Sequence, residues 1–332
     1  MPEVVGEYID QICSIELRPN SGNIPRGVTR NLYEAARSKV DGPLSTRMAQ
    51  ALVERVRPGS AVVIVTGAGG EPYLPHAEID GLLGAAAIAR ALTLGLGAQV
   101  HIAVEENVVN SIRQVLVAAE LSSVLAGERM LPQAVTIQTS PISAEESKQE
   151  SDRLLAELNP AAVIAIEKLS ECPDGTIRGS TGFDWDSIHF KPRFLFQAAR
   201  EQGVLTCGIG DCGNEVGFGS VPEVATIMPA GALMRSTVVT DHLLVAGVSN
   251  WGGYALNGML AFLTERPDVL VGPEMIEAMM RAAVQAGSWD GLYNRPVLCD
   301  DGIPLPAHRA LGELVATAVR QGLLRDVRSP SH

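Results

Sequence analysis

Short runs of apolar and β-branched residues alternate with stretches of helical periodicity between residues 61 and 210, and no other feature constrains the fold as strongly. Residues 61–66 (AVVIVT) and 162–166 (AVIAI) are continuous apolar runs, typical of strands buried on both faces. Residues 99–104, 134–138 and 204–209 are similar runs. This alternation predicts an α/β fold with a mostly parallel sheet and helices on both faces.

The regions on either side of this alternation have a different pattern. Residues 1–57 predict an N-terminal helical segment that packs on the core, with a loop rich in Pro, Gly and Asn at residues 18–27. We expect the catalytic domain to span residues 58–325 and a short tail to follow at residues 326–332. Within that domain, one more apolar run and then three helices are predicted after the alternation, at residues 237–248, 254–264, 275–286 and 308–320.

Composition narrows the class of function. The formal net charge is −12 and no run of Lys or Arg occurs, which disfavours binding to nucleic acid or to an anionic membrane surface. Residues 81–100 are the most membrane-like stretch, but Arg90 and several glycines favour a buried helix followed by a loop and a strand. An acidic N-terminus and five scattered cysteines favour a cytoplasmic protein without disulfides. We therefore expect an enzyme acting on a small molecule, with a homo-oligomer left open.

Ligands of parallel α/β sheets bind beyond the carboxyl ends of the strands, so the residues that follow each strand are the candidates. Residues 67–72 (GAGGEP) follow the first run and match neither a dinucleotide fingerprint nor a phosphate loop. Their glycines, Gly69 among them, either bring backbone N–H groups to an anionic substrate or form an ordinary turn. Asp80 begins the next helix, as an N-cap or as a site carboxylate. Glu167 follows residues 162–166 directly, which favours a functional role.

The densest signal is residues 208–219 (GIGDCGNEVGFG), with five glycines in twelve residues around Asp211, Asn214 and Glu215. An ordinary loop needs one or two glycines for positive φ angles. The pattern therefore predicts close approach of the backbone, Gly210 included, to a ligand.

A second candidate is the acid–imidazole pair Asp241 and His242, which interrupts an apolar run. Such groups are costly to bury unless they are paired, ligated or catalytic, although a core histidine bonded to an aspartate is an alternative. Ser249 and Asn250 then precede a predicted helix, whose N-terminus favours a carboxylate ligand.

A hard divalent cation, Mg²⁺ or Mn²⁺, suits the oxygen-rich set that these motifs supply. The predicted ligands are Asp211, Glu215, Asp241 and His242.

Four separated motifs carry a resemblance to a known family. They are residues 80–85 (DGLLGA), 164–167 (IAIE), 208–217 (GIGDCGNEVG), and 240–242 (TDH) followed by 247–252 (GVSNWG). In this order they resemble the D-glutamate cyclase family, the domain found at the C-terminus of the mammalian mitochondrial protein. The resemblance runs from about residue 23 to about residue 324. Cys212 stands where the family pattern has Gly.

The resemblance implies a lyase in which the α-amino group of D-glutamate attacks its own γ-carboxyl group, releasing water and 5-oxo-D-proline. A carboxylate is a poor electrophile, so a metal or oxyanion site must polarise it, and acid–base groups must move the protons. Glu167 and Asp80 are the candidates for proton transfer. The metal set above would hold a cation and its water, with Asp211 and Glu215 also counted as catalytic. The residues that would orient the substrate are Asn214, Ser249 and Asn250.

Two alternatives stay open at this point. One is a metal-assisted hydro-lyase or amidohydrolase that acts on another small amino or hydroxy acid. The other is a ligand-binding relative that retains the fold without turnover.

Overall fold

A seven-stranded parallel sheet organises the computed structural model, which describes residues 1–129 and 131–324. The strand order is β3-β4-β2-β1-β5-β6-β7, and every pairing within it is parallel. A separate two-stranded antiparallel hairpin, β8–β9, follows near the C-terminus. The strands are β1 Ala61–Val65, β2 Gln99–Glu105, β3 Ser123–Leu125, β4 Val135–Ser140, β5 Ala162–Ile166, β6 Leu205–Gly210, β7 His242–Val245, β8 Cys299–Asp300 and β9 Ile303–Pro304.

Helices cover both faces of the sheet, so the predicted α/β fold is confirmed. Alternate residues of β1 face opposite layers: Val62 and Ile64 belong to one core cluster, and Val63 and Val65 belong to another. The helices are α1 Pro2–Cys13, α2 Val28–Arg37, α3 Leu44–Arg55, α4 Leu82–Arg90, α5 Val109–Ala118, α6 Ala144–Leu158, α7 Pro192–Glu201, α8 Val224–Ile227, α9 Gly231–Met234, α10 Ser249–Leu263, α11 Pro273–Ala286 and α12 Leu305–Leu323.

The predicted strands agree closely with the observed ones. β5 has the predicted bounds, and β6 is displaced by one residue from the predicted residues 204–209. The last apolar run differs more, because β7 comprises four residues of the predicted 237–248. β3 was not predicted: it is three residues long, too short to leave a pattern in the sequence.

The three helices before β1 pack on the larger of the two main cores, through Ile9, Leu32 and Met48. The division of the chain near residue 58 stays a prediction, and the expected tail at residues 326–332 lies outside the described residues. Residues 81–100 form α4, a π-helical turn and the start of β2. Among the described residues, no helix combines the length and the apolar character needed to cross a membrane.

The strand order fixes where a ligand can enter. β2 lies on one side of β1 and β5 on the other, so the connections that leave these strands diverge. A crevice opens at such a switch point, outside the carboxyl ends of the strands. Helices α4 and α10 meet beside it, where Gly253 faces Gly84 with no space for a side chain.

This helix crossing gives a test of the fold. A Cβ atom at Gly253 would lie 2.4 Å from the Cα of Gly84, so Gly253→Ala must push the two helices apart. We expect a loss of about 1–3 kcal/mol in the free energy of unfolding, as for other overpacked cores. Urea denaturation measures it. Gly22→Ala is the control, because nothing lies within 4 Å of the added atom. Equal unfolding midpoints for the two variants would contradict the close crossing.

Candidate functional site

A cavity of about 420 Å³ lies at the carboxyl ends of β1, β5 and β6. Its buried part carries Glu167 and Asp211, which directly follow β5 and β6. Its outer part carries aromatic side chains, of which Tyr73 and Phe183 are 48% and 50% exposed. The cavity therefore joins an acidic interior to an apolar opening, at the edge of the sheet where the sequence predicted a site.

One buried arginine faces these carboxylates. Nη1 of Arg18 lies 3.0 Å from Oδ2 of Asp301, and Nη2 lies 3.5 Å from Oδ2 of Asp211. Nη1 also donates to Sγ of Cys212 at 3.3 Å. Burial raises the pKa of Asp301 to about 7, although the charge of Arg18 acts in the opposite direction. Arg18 thus ties the N-terminal loop to the carboxyl edge of the sheet and partly offsets the acidic charge.

The N-terminus of α10 is held by two carboxylates. The N–H of Ser249 donates to Oδ2 of Asp80 at 3.0 Å and to Oδ2 of Asp211 at 3.1 Å. The N–H of Asn250 donates to Oδ1 of Asp80 at 2.6 Å. These bonds satisfy the first amides of α10 and place negative charge at the positive end of the helix dipole. Asp80 thus caps α10 as well as bonding the N–H of Gly81, which begins the turn into α4.

Glu167 has a strained backbone, with φ at +44°, a region that non-glycine residues rarely adopt. Its Oε2 accepts a 2.5 Å hydrogen bond from Oγ of Ser249. Burial raises its pKa well above the usual range, and the charges of Asp211 and Glu215 act in the same direction. Strain, a fixed hydroxyl partner and a raised pKa are the features expected of a group that transfers protons.

Glu215 organises its own loop. Its Oε1 accepts from the N–H groups of Asp211 and Cys212 at 3.0 and 2.9 Å, and its Oε2 accepts from the N–H of Gly213 at 2.7 Å. The side chain is fully buried, and both oxygens point at backbone amides. The structure therefore gives Glu215 a structural function that the sequence interpretation did not include.

The glycines of this loop make room for protein atoms. A Cβ at Gly208 would lie 2.3 Å from the carbonyl oxygen of Val216, and one at Gly210 would lie 2.8 Å from both the Glu215 carboxyl carbon and the Phe218 ring. Gly210 is not among the residues that line the cavity, and side chains of its own loop fill the space that its missing Cβ leaves, so its predicted approach to a ligand stays a prediction.

The predicted substrate-binding residues have different surroundings. Gly69 lines the cavity, but its N–H donates to Nε2 of His189 at 3.1 Å. Asn214 also lines the cavity; its Nδ2 donates to the carbonyl of Arg178 at 2.9 Å. Its Oδ1 is buried without a hydrogen-bond partner among the described residues.

The side-chain amide of Asn250 bonds to other protein groups through both its oxygen and its nitrogen. Its side-chain amide donates to the carbonyl of Ile79 at 3.1 Å and to Asp300 at 2.8 Å, and its Oδ1 accepts from the N–H of Gly84 at 2.6 Å. Ser249 is also fully buried and acts on Glu167. Neither Ser249 nor Asn250 is among the residues that line the cavity.

Asp241 and His242 lie at the amino ends of the strands, whereas the cavity lies at the carboxyl ends. His242 pairs with Cys207, two residues into β6, whereas Asp211 follows the end of that strand. Asp241 accepts from the N–H and the hydroxyl of Thr206 at 2.9 and 2.8 Å. The prediction that Asp241 and His242 share a metal site with Asp211 and Glu215 is wrong. Parallel pairing puts the start of β7 at the amino edge.

Four acidic or basic residues of the site were missed by the sequence interpretation. Arg18, Glu78 and Asp301 line the cavity, and Asp300 accepts from Asn250. The Asp301-Gly302 turn between two short strands was a local signal for a hairpin. No local pattern indicated Arg18, because its partners are about 190 and 280 positions away.

A buried ion pair supports the loop after β1. Nζ of Lys168 lies 2.5 Å from Oε1 of Glu105 and donates to the carbonyl of Gly67 at 3.0 Å. Burial alone would raise the pKa of Glu105, but Lys168 holds it below its usual value. Removing either partner would leave a buried charge unpaired, so the pair fixes the loop that carries Gly69.

Three of the carboxylates lie close enough to one another to hold a cation between them. One oxygen from each of Asp80, Glu167 and Asp211 lies within 4.8 Å of the others. All three side chains are buried, and all three are hard oxygen donors, which suit Mg²⁺ or Mn²⁺. Asp211, Cys212 and Glu215 also lie within that distance of one another, but this group includes the thiol of Cys212, a softer donor that suits Mg²⁺ or Mn²⁺ less well than a carboxylate. Asp80, Glu167 and Asp211 are therefore the better candidates to hold a hard divalent cation.

The fold and site define a parallel α/β protein with a buried carboxylate cluster at the switch point of its sheet. The family model described as D-glutamate cyclase-like, C-terminal, matches residues 22–314, so the chain belongs to this family. This confirms the resemblance found in the sequence. The mitochondrial D-glutamate cyclase of Homo sapiens is 36% identical over 96 residues, which cover 28% of this chain and 16% of the human protein. The chain thus matches well under two thirds of that relative.

Glu215→Gln tests the structural function of this carboxylate. Glutamine keeps one acceptor oxygen, so at least one backbone N–H of the loop would face an amide donor. We expect the free energy of unfolding to fall by about 2 kcal/mol, because a buried donor loses its charged partner. Chemical denaturation measures the loss against Glu54→Gln, an exposed control. A Glu215→Gln protein as stable as the control would show that the three N–H contacts contribute little.

Proposed function

We propose that this protein is a lyase that converts D-glutamate to 5-oxo-D-proline by intramolecular loss of water. The observation that carries the proposal is the buried carboxylate cluster with Arg18 inside one cavity, in a chain of the D-glutamate cyclase-like family. An amino acid brings one ammonium group and at least one carboxylate. The cavity offers acidic groups for the first and a guanidinium for the second.

Substrate orientation follows from this charge distribution. In the proposal, the α-carboxylate of the substrate meets Arg18, and the ammonium group meets Glu78 and Asp301. The Oδ1 of Asn214, which has no partner among the described residues, accepts a hydrogen bond from the ammonium group. This arrangement leaves the γ-carboxyl group to reach Glu167, at the carboxyl end of β5.

Glu167 is the proposed acid–base group. Burial raises the pKa of this carboxyl group well above its usual range and so favours the protonated form, which can donate a proton to the departing hydroxide. Ser249 holds the side chain in one orientation. The amine must lose a proton before attack, and a neighbouring carboxylate of the cluster accepts it. Asp80 contributes through α10, which it caps, and through a cation if one binds.

A divalent cation fits the group formed by Asp80, Glu167 and Asp211. We propose Asp80 and Asp211 as its ligands, in place of the set predicted from the sequence, with Glu167 beside them as the proton donor. When bound, such a cation supplies a positive charge that polarises a substrate carboxylate.

Purified protein given D-glutamate should form 5-oxo-D-proline, measured by chiral chromatography. Glu167→Gln should lower kcat by about 10²-fold or more, as expected for loss of an acid–base group. Asp241→Asn is the matched control and should retain activity within about twofold, because Asp241 lies at the other edge of the sheet.

The outcomes separate the candidate functions. No product from the wild type at saturating D-glutamate would exclude the proposed reaction. A ligand-induced rise in melting temperature without turnover would then favour a binding protein. Full activity in Glu167→Gln would instead remove this residue from the mechanism.

The proposed cation site can be tested separately. Titration calorimetry of metal-free protein with Mn²⁺ should show one binding event, because three buried carboxylates converge on one point. Asp211→Asn should weaken that affinity by at least about tenfold, since one charged ligand is lost. Asp241→Asn should bind Mn²⁺ like the wild type. Equal affinities in all three proteins would place the cation elsewhere.

A further inference from the structure

The outer part of the cavity is an aromatic wall formed by Tyr73, Phe183 and Trp185. The ring centroids of Phe183 and Trp185 are 5.4 Å apart at 68°, and those of Tyr73 and Phe183 are 5.9 Å apart at 88°. These are edge-to-face contacts between residues of two different loops, one after β1 and one after β5. The proposed cyclisation of free glutamate leaves this apolar wall without a function.

Backbone hydrogen bonds order the segment of the wall that carries Phe183 and Trp185. The N–H of Gly179 donates to the carbonyl of Phe183 at 3.0 Å, and the N–H of Trp185 donates to that of Ile177 at 2.9 Å. Asn214, in the glycine-rich loop, bonds the same segment through the carbonyl of Arg178. A substituent on a substrate that lies among the carboxylates would therefore meet preformed aromatic surfaces, at little cost in ordering the protein.

The charge in the cavity favours a substrate with a single carboxylate. Among the residues that the structure describes, Arg18 is the one basic side chain that lines the cavity, and it already faces Asp211 and Asp301. Glu78 and Glu167 add to the acidic charge. The second carboxylate of free glutamate has no further basic partner, whereas a neutral γ-amide avoids this repulsion.

From the wall and this charge balance, we infer that the site also accepts γ-glutamyl amides of apolar or aromatic amines. The inference rests on the proposed function and extends its substrate class. The α-amino nitrogen forms a bond to the γ-carbonyl carbon, and the bond from that carbon to the amide nitrogen breaks. The proton lost by the attacking amine ends on the departing nitrogen, so the products are 5-oxoproline and a free amine. No water and no co-reactant are consumed.

In this inference, the apolar or aromatic amine of the substrate is attached to the γ-carbonyl group and not to the α-carboxyl group. An amide carbonyl is a better electrophile than a carboxylate, and the departing amine would leave along the aromatic wall. An α-amide retains the poorly reactive γ-carboxylate and removes the group proposed to meet Arg18. The isomeric α-anilide is therefore a matched control of the same size and composition.

The experiment compares γ-D-glutamyl anilide, D-glutamic acid α-anilide and D-glutamate as substrates of the full chain. Aniline and 5-oxoproline are quantified together, and turnover of the α-anilide is measured as 5-oxoproline anilide, the product in which the anilide bond stays intact. We expect equimolar aniline and 5-oxoproline from the γ-anilide, with kcat/KM at least about tenfold above that for the α-anilide.

Variants of the wall tie this preference to the structure. Phe183→Ala should lower the ratio of kcat/KM for γ-anilide over D-glutamate by about tenfold, as expected for one lost aromatic contact. Phe183→Tyr keeps the ring and should restore the ratio. Tyr8→Ala, an exposed aromatic residue on α1 outside the cavity, is the control and should leave the ratio unchanged.

The outcomes distinguish this inference from the proposed function. Turnover of D-glutamate without turnover of the γ-anilide, or a ratio insensitive to Phe183→Ala, overturns the aromatic subsite alone. Turnover of the γ-anilide without turnover of D-glutamate supports the subsite and overturns the dehydration. If neither D-glutamate nor the γ-anilide is turned over, the ligand-induced shift in melting temperature tests the aromatic subsite. The γ-anilide must raise the melting temperature of the wild type more than that of Phe183→Ala, and equal shifts overturn the inference.

Discussion

The N-terminus of α10 is the feature on which the site depends. Its first amides point at Asp80 and Asp211, and the hydroxyl of its first residue, Ser249, bonds Glu167. Three carboxylates from three different loops thus converge on one helix end, where the helix dipole favours negative charge. Without this helix, buried like charges so close together would repel one another. The close crossing of α4 and α10 sets the position of the helix relative to the strands.

The topology of the sheet explains which site residues could be predicted from the sequence. Glu167 and Asp211 follow the carboxyl ends of their strands directly, so a parallel sheet was enough to place them together. Asp241 and His242 were misplaced because they were assigned to the metal set by their ligand chemistry, without regard to their position within the apolar run of residues 237–248. The necessary signal was present: both residues precede the apolar part of the run, and the start of a parallel strand lies at the amino edge.

Local patterns could not supply the remaining features of the site. The number of glycines in residues 208–219 predicted a ligand, yet Gly210 makes room for Glu215, a residue of the same loop. A glycine indicates that some group approaches the backbone closely, but it does not identify that group. Arg18 and Asp301 are brought together by contacts across almost the whole chain, and such pairing depends on the assembled fold.

The excess of carboxylates over basic groups also connects binding to chemistry. Burial, together with the like charges of neighbouring carboxylates, raises the pKa values of Glu78 and Glu167 and so favours their protonated forms. In the proposed function, the arriving ammonium group lies against Glu78 and Asp301, lowers their pKa values and so favours ionised carboxylates beside it. A carboxylate that forms in this way is placed to accept the ammonium proton. Substrate binding would then generate the base that activates the nucleophile, while Glu167, held by Ser249, can retain the proton needed by the leaving group.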